Sequence, residues 1–120
     1  MAYTKFGEFM RILRVQNHEV MGDTAKLFDV KIPFISAVES GKRNVPEEWI
    51  PTLIEHYNLD LSAQEELYEA IEYSKTQMKI NLSNANFTQR KVAVQFQRSF
   101  ENLDDDTATE ILKLLNKGDN

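Results

Sequence analysis

The chain of 120 residues has no cysteine and only two histidines, His18 and His56. The absence of cysteine excludes a disulfide framework, a thiolate metal site and a cysteine nucleophile. The two histidines are far apart in sequence, and no third ligand stands at the spacing that a zinc site needs. No apolar run approaches the roughly eighteen residues of a membrane helix, and none follows the first residues as in a signal peptide. The sequence therefore predicts no metal, no membrane association and a cytoplasmic location.

Catalytic motifs are also missing. There is no glycine-rich phosphate loop and no nucleophile with a neighbouring base. Segment 65–72 carries several carboxylates, but no histidine or metal ligand accompanies them, and we interpret the segment as a solvated helix face. With 42% hydrophobic and 28% charged residues, the composition is that of one soluble domain with an appendage. We predict that the protein is not an enzyme and needs no cofactor.

The formal net charge of −5 argues against a nucleic-acid partner, but the charges are not spread evenly. Residues 1–46 carry seven bases and five acids, whereas residues 47–74 carry eight acids and no base. Residues 75–98 carry five bases and no acid, and residues 99–120 carry two bases and six acids. Because most acids lie beyond the first segment, that segment can still present a local basic surface.

Two short segments with helical apolar periodicity lie close together near the amino terminus. The first is predicted as a helix over 21–28. The second is predicted to start near Ile32 and Pro33 and to end at Gly41, a residue suited to a left-handed helix cap. An exposed basic loop follows this glycine and consists of Lys42, Arg43 and Asn44. This layout is typical of a helix-turn-helix, whose second helix enters the DNA major groove.

Further helices are predicted on both sides of this pair. The first runs from about Thr4, its cap, to about Gln16. A bent or two-piece helix is expected from Pro46 through Pro51 to about residue 57, because proline interrupts a helix interior. A capping box at 62–65 predicts a helix that runs to about residue 76. The apolar stripes expected in the core are Phe6, Met10 and Leu13, then Trp49, Leu53 and Ile54, then Leu67, Tyr68, Ile71 and Met78.

The last part of the chain is predicted as a linker followed by a helical hairpin. Within the linker, Met78–Ser83 alternates apolar and polar residues like a short strand that could pair with a second copy. The second helix of the hairpin is expected to begin at Thr107, with a capping box to Glu110. The large apolar residues of the hairpin exceed what two short helices can bury, so either the amino-terminal bundle or a second subunit should cover them. The predicted domains are 1–76, the linker 77–86 and the hairpin 87–120.

The first part of the chain combines several family-like features. It has a Leu-Arg pair in the first helix, an alanine in the second and an Ile-Ser…Glu-x-Gly-Lys-Arg ending to the third. The residues involved are Phe6, Gly7, Glu8, Met10, Arg11, Leu13, Arg14, Ala25, Phe28, Val30, Ile35, Ser36, Glu39, Gly41, Lys42 and Arg43. With these residues, segment 6–46 resembles the Xre/Cro-repressor family of bacterial and phage helix-turn-helix regulators, with similarity extending to about residue 60. The resemblance implies an all-α fold, a compact five-helix lambda-repressor-like helix-turn-helix domain, here followed by a carboxy-terminal helical hairpin.

The resemblance also implies which residues contact DNA. The third helix would present its first turn and its next outward position to the bases, and among these residues only Ser36 offers a side-chain hydrogen bond. Direct readout usually relies on arginine, lysine, asparagine or glutamine. We therefore expect specificity to depend on phosphate contacts of the neighbouring basic side chains, Lys31, Lys42 and Arg43, and on DNA shape. The expected DNA-binding residues are Lys31, Ile32, Pro33, Phe34, Ser36, Ala37, Lys42, Arg43 and Asn44.

A buried ion pair between Arg14 and Glu39 is a further expectation from the resemblance. Such a pair contributes little net stability, because desolvation offsets most of the attraction, yet loss of one partner costs about 3–5 kcal/mol. A phosphate would repel Glu39. Both residues are therefore predicted to be structural rather than DNA contacts.

The leading hypothesis is a sequence-specific transcriptional regulator, a repressor of bacterial or mobile-element type. It would bind double-stranded DNA through the third helix and form a homodimer through its carboxy-terminal half. An antitoxin of a toxin–antitoxin pair would share this scaffold and bind its toxin through residues 77–120. The competing class is a protein-interaction adaptor, motivated by the apolar surface of Ile32, Pro33 and Phe34, which would bind a protein partner instead of DNA.

Overall fold

The computed structural model describes residues 3–117, and this part of the chain is all-helical, with no strand. The chain divides into two compact units, Met1–Met78 and Lys79–Asn120. The helices of the first unit are α1 (Lys5–Gln16), α2 (Met21–Phe28), α3 (Ile32–Glu39), α4 (Trp49–His56) and α5 (Leu61–Glu72). Those of the second unit are α6 (Phe87–Ser99), a 3₁₀ turn (Phe100–Asn102) and α7 (Asp105–Asn116). No helix in the described range is long and apolar enough to cross a membrane.

The first three helices begin and end where the sequence predicts. Thr4 caps α1, because its hydroxyl oxygen accepts a hydrogen bond from the Gly7 N–H at 3.1 Å. Val20 before α2 has no side-chain acceptor, but the Asp23 carboxylate of the first turn accepts from the Val20 N–H at 2.8 Å. Between α2 and α3 the chain reverses at Asp29, which adopts the left-handed conformation with φ 53°. The turn between α2 and α3 therefore spans only the three residues 29–31.

The core of the first unit contains one apolar stripe from each helix. Its buried side chains are Phe6, Met10, Leu13, Ala25, Ile35, Val38, Trp49, Leu53 and Leu67. Two residues expected there are exposed instead, since Tyr68 keeps 51% and Met78 69% of its accessible surface. Tyr68 follows Leu67 by about 100° around the helix, which turns it away from the core. Met78 lies beyond the end of α5, so no helical stripe reaches it.

Helix α4 begins later than the sequence suggests. A single turn precedes it, in which the Trp49 N–H donates to the Pro46 carbonyl at 3.1 Å. Pro51 is the third residue of α4 rather than an interior residue. Because the first N–H groups of a helix have no intrahelical partner, proline at this place removes no hydrogen bond of the helix.

The caps predicted for α5 and α7 are wrong by two or three residues. Asp60, not Ser62, caps α5, because its carboxylate accepts from the Ala63 N–H at 2.8 Å. In α7 the cap is Asp104 rather than Thr107, whose N–H donates to the Asp104 carboxylate at 2.7 Å. Hydrogen bonding from Thr107, chiefly from its backbone N–H, holds the pKa of the exposed Asp104 carboxyl below its ordinary value. In both cases an aspartate upstream of the expected capping box accepts the hydrogen bond from the first turn, so the helix begins earlier.

The segment between the two sets of helices is irregular. The strand-like alternation over 78–83 corresponds to no strand in the structure, since no backbone ladder forms there. Helix α6 begins with a reciprocal cap in which Asn86 and Gln89 each accept from the other's backbone N–H, at 2.8 and 2.9 Å. None of the residues of α6, the 3₁₀ turn or α7 is buried.

Candidate nucleic-acid interface

The carboxyl end of α3 is held against the start of α1. The Thr4 hydroxyl and the Thr4 N–H both donate to the Glu39 carbonyl oxygen, at 2.9 and 3.1 Å. Gly7 passes so close to this carbonyl that a Cβ there would collide with it. The glycine is therefore required by the close approach of two backbones. Further along, the buried Ser74 accepts from the Phe6 N–H at 3.0 Å and fixes the same end of α1 to the residues after α5.

A buried ion pair fixes the side of α3 that faces the core. The Arg14 guanidinium donates two hydrogen bonds of 2.7 Å to the two carboxylate oxygens of Glu39. A third bond of 3.3 Å reaches the hydroxyl of the buried Thr24 on α2, so the group joins α1, α2 and α3. The hydrogen bond to Glu39 raises the pKa of Arg14, although burial acts in the opposite direction. Neither charged group is available to an outside ligand.

The opposite side of α3 is exposed at its amino end. Lys31 immediately precedes the helix, and Ile32 and Pro33 form its first two positions. All three side chains are exposed, Ile32 by 50%. Ser36 and Ala37 lie one turn further along and are half-buried. Because residues four apart share a helix face, Ile32 with Ser36 and Pro33 with Ala37 form one continuous, mostly apolar surface.

The backbone at this helix start has little capacity to bind an anion. Pro33 has no N–H, and the Phe34 N–H already donates to the Lys31 carbonyl at 3.0 Å. A helix N-terminus attracts phosphate through several free N–H groups, and this one retains only that of Ile32 in its first three positions. Positive charge at this face must therefore come from side chains.

The loop after α3 is held in a defined conformation. The Lys42 N–H donates to the Ala37 carbonyl at 2.9 Å, and the Gly41 N–H donates to the Val38 carbonyl at 3.2 Å. With Gly41 at φ 84°, this is the Schellman arrangement that ends a helix. The motif fixes where Lys42 and Arg43 leave the helix, and both side chains are exposed.

The Arg43 guanidinium packs against an aromatic cluster. Its guanidinium carbon lies 5.0 Å from the centre of the Phe34 ring, which meets Trp49 edge-on at 5.9 Å. Trp49 in turn stacks on Phe28 at 4.1 Å and an interplanar angle of 9°. Phe34 is half-buried in this stack rather than fully presented to solvent. The sequence alone gave no sign of this support, because the contact between residues 34 and 43 depends on the turn at Gly41.

Asn44 is tied to the segment that follows α5 in the same unit. Its side-chain oxygen accepts from both the N–H and the hydroxyl of Thr76, at 3.1 and 3.0 Å. The side-chain amide is exposed and leaves its two N–H donors for other partners. Asn44 thereby anchors the outer end of the basic loop.

The cations around this face are unpaired within the described residues. Neither Lys31, Lys42 nor Arg43 has a carboxylate oxygen within 4.0 Å, and the ion pairs of residues 3–117 all lie elsewhere. These three residues with Ile32, Pro33, Ser36 and Ala37 form what we term the α3 face. It combines a shallow apolar centre with free positive charge at both ends of one helix.

No known protein family, curated protein or solved structure shows significant similarity to this chain. The function of the α3 face is therefore inferred from its own chemistry.

Proposed function

We propose that the protein is a sequence-specific DNA-binding transcriptional regulator that acts as a repressor, with α2 and α3 as its helix-turn-helix and α3 in the major groove. The observation that carries the proposal is the α3 face itself. Its outward row is exposed at Ile32 and Pro33 and half-buried at Ser36 and Ala37. The helix that carries this row is flanked by the unpaired cations Lys31, Lys42 and Arg43. This is consistent with the resemblance of segment 6–46 to Xre/Cro-type regulators.

In this proposal the charged and apolar residues have different roles. Lys31, Lys42 and Arg43 contact phosphate oxygens, which position α3 on the duplex but do not read sequence. Ile32, Pro33 and Ala37 pack on thymine methyl groups, and the Ser36 hydroxyl contacts a base edge. Because this set can make no bidentate contact to a base, much of the specificity would come from groove shape and deformability.

The overall acidity of the chain is compatible with this proposal. The carboxylates of α5, which include Glu65, Glu66 and Glu69, are exposed on a helix other than α3. The first 46 residues have a net charge of +2, and one acid in that segment, Glu39, is already neutralised by Arg14. The acidic remainder would weaken non-specific binding and leave the local contact intact.

Selection from random duplex DNA at near-physiological salt tests the proposal. The wild-type chain should enrich one site, and Lys42→Ala/Arg43→Ala should abolish the enrichment. Lys5→Ala/Arg11→Ala is the matched control, because it removes two exposed positive charges from α1 of the same unit. If this control loses enrichment equally, the effect reflects net charge and the proposed contact is wrong.

A protein-interaction adaptor is the second candidate, favoured by the exposure of Ile32 and Pro33. An apolar helix start of this kind suits a hydrophobic pocket of a partner. The same selection from random duplex DNA distinguishes the two functions. A folded wild-type chain that enriches no duplex favours the adaptor, whose binding should not need Lys42 or Arg43.

A further inference from the structure

Helices α1 and α5 of the first unit leave an open groove between them. Ser74, just after α5, accepts from the Phe6 N–H at 3.0 Å, so α5 ends beside the start of α1. The groove has a volume of about 370 Å³. Each helix lines it with four residues at positions i, i+3, i+4 and i+7, which share one face over two turns. The lining residues are Lys5, Glu8, Phe9 and Ile12 of α1, then Glu66, Glu69, Ala70 and Tyr73 of α5 and its end.

The inner part of this α1–α5 groove is apolar and uncovered. Phe9 is half-buried against the core and Ala70 is 8% exposed, so these two residues form the floor. Ile12 and Tyr73 line the groove above them and keep 57% and 69% of their accessible surface. Exposed apolar side chains that gather along a groove indicate a surface for a partner.

Carboxylates form the outer edge of the groove on both helices. Glu8 and Glu69 each stand next to a floor residue in sequence, so they lie about 100° around the helix from it, and both are exposed. Glu66 lies one turn before Glu69 on the same face. Among the described residues, neither Glu66 nor Glu69 has a basic nitrogen within 4.0 Å, and Glu8 is joined only to the exposed Lys5 at 3.8 Å. The groove therefore has an apolar floor and an acidic edge with three carboxylates and one ammonium group.

We propose that the α1–α5 groove binds an amphipathic helix of a partner protein. The apolar residues of that helix enter the groove, and lysines or arginines on both sides of its apolar stripe meet the acidic edge. Two helices that lie side by side offer a groove into which a ridge of side chains from a third helix packs. The two-turn length of the groove fits apolar anchors at i, i+3, i+4 and i+7 of the bound helix.

The charge of the groove favours this occupant over others. Three carboxylates repel the phosphates of nucleic acid and of an anionic membrane surface. A second copy that docked through the same groove would bring carboxylates against carboxylates. The basic helix of this chain, α6, lacks the required pattern, because Lys91 and Arg98 both lie more than about 100° around the helix from Phe96. The proposal does not depend on DNA binding, since no residue of the α3 face lines the groove.

Fluorescence anisotropy with two synthetic peptides tests the charge pattern. The first is a labelled amphipathic helix of about four turns, with leucine at i, i+3, i+4 and i+7 and lysine on both sides of that stripe. The second has glutamate in place of every lysine. The full chain should bind the lysine peptide at least about tenfold more tightly than the glutamate peptide, because opposite charges meet at the groove edge.

Charge reversal in the groove should invert this preference. Glu66→Lys/Glu69→Lys should bind the glutamate peptide more tightly than the lysine peptide. Glu47→Lys/Glu55→Lys is the matched control, because it reverses two exposed carboxylates of the same unit that do not line the groove. This control should keep the preference of the wild type. Circular dichroism checks that each chain stays helical.

The apolar contact has its own test. Ile12→Ser changes no charge and should weaken binding of the lysine peptide at least about fivefold, since it removes an apolar anchor surface. Backbone amide resonances that shift on addition of this peptide should lie within residues 5–12 and 66–73.

Three results would overturn the proposal. The first is an equal affinity for the two peptides, and the second is an inverted preference in Glu47→Lys/Glu55→Lys, which would show that net charge alone decides binding. The third comes from sedimentation equilibrium without peptide. If the wild-type chain self-associates and Glu66→Lys/Glu69→Lys abolishes that association, the occupant of the groove is a second copy and not a partner protein.

Discussion

Individual side chains hold α3 in place, and the Arg14–Glu39 pair contributes most directly. Replacing Glu39 by glutamine leaves the buried Arg14 charge without its counter-ion. We expect a loss of about 3–5 kcal/mol in the free energy of unfolding, measured by urea titration. Glu72→Gln is the matched control, because it breaks an exposed ion pair with Lys75 and should change stability by less than about 1 kcal/mol.

The double variant Arg14→Met/Glu39→Leu distinguishes the net contribution of the ion pair to the free energy of unfolding from the cost of leaving one charge buried without a partner. Without either charge, the site has no uncompensated ion, and the variant should be more stable than Glu39→Gln. If Glu39→Gln unfolds with the same free energy as the wild type, the pair does not hold α3 as argued here.

A second prediction at the residue scale concerns the loss of folding stability at acidic pH. The Glu19 carboxylate accepts hydrogen bonds from the Tyr57 hydroxyl at 2.6 Å and from the His56 ring at 3.0 Å. Burial and the nearby Asp23 raise the pKa of Glu19, but the two hydrogen bonds and the attraction of His56 outweigh them and lower it below 4.5. Since the folded pKa is the lower one, the contribution of Glu19 to stability is complete above about pH 4.5 and is lost as the pH falls through the folded pKa.

Urea titrations of the wild type and Glu19→Gln between pH 7 and pH 3 measure this contribution. The stability difference between the two chains should be constant at neutral pH and shrink in acid. A difference that stays constant to the lowest pH would show that Glu19 ionisation is not linked to folding.

At the scale of the helices, two glycines should respond in opposite ways to the same substitution. Gly7→Ala should destabilise the protein by about 1–3 kcal/mol, because the added methyl group would collide with the Glu39 carbonyl and force α1 and α3 apart. Gly22→Ala should stabilise it by up to about 1 kcal/mol, because its nearest contact would be the Ile32 side chain at 3.9 Å and alanine favours the helix. Thermal unfolding compares the two. Equal effects would contradict the close packing of α1 on α3.

The helices also show what the sequence can and cannot predict. Periodicity predicted the bounds of α1, α2 and α3, helped by the cap Thr4 before α1 and by Gly41 after α3. The starts of α5 and α7 were missed because a second acceptor, Asp60 or Asp104, competes two or three residues upstream. Sequence spacing cannot decide which acceptor the backbone reaches. The alternation at 78–83 forms no strand within the described residues, because a strand needs a pairing partner as well as a pattern.

The candidate site was only partly predictable for a similar reason. The exposure of Lys31, Ile32 and Pro33 follows from the face of α3 that Ile35 and Val38 leave free. The stacking of Arg43 on Phe34, by contrast, arises from the Schellman turn at Gly41 and from the position of Trp49 on another helix. Such contacts depend on tertiary packing and not on any local pattern.

At the scale of the whole molecule, charge and apolar surface are distributed by unit. The first unit buries its apolar stripes and exposes unpaired cations around α3, whereas the second buries no residue of its helices and separates its bases from its acids. We propose that the first unit binds DNA through this set of cations.

The dissociation constant for a selected duplex as a function of salt tests the central claim most directly. Each phosphate contact on duplex DNA contributes about 0.9 to the slope of log K against log salt. If Lys42 and Arg43 each contact a phosphate, Lys42→Ala/Arg43→Ala should reduce the slope by about 2 and weaken binding, while Lys5→Ala/Arg11→Ala should leave both unchanged. An unchanged slope and affinity in Lys42→Ala/Arg43→Ala, with the chain folded, would contradict DNA binding through the α3 face.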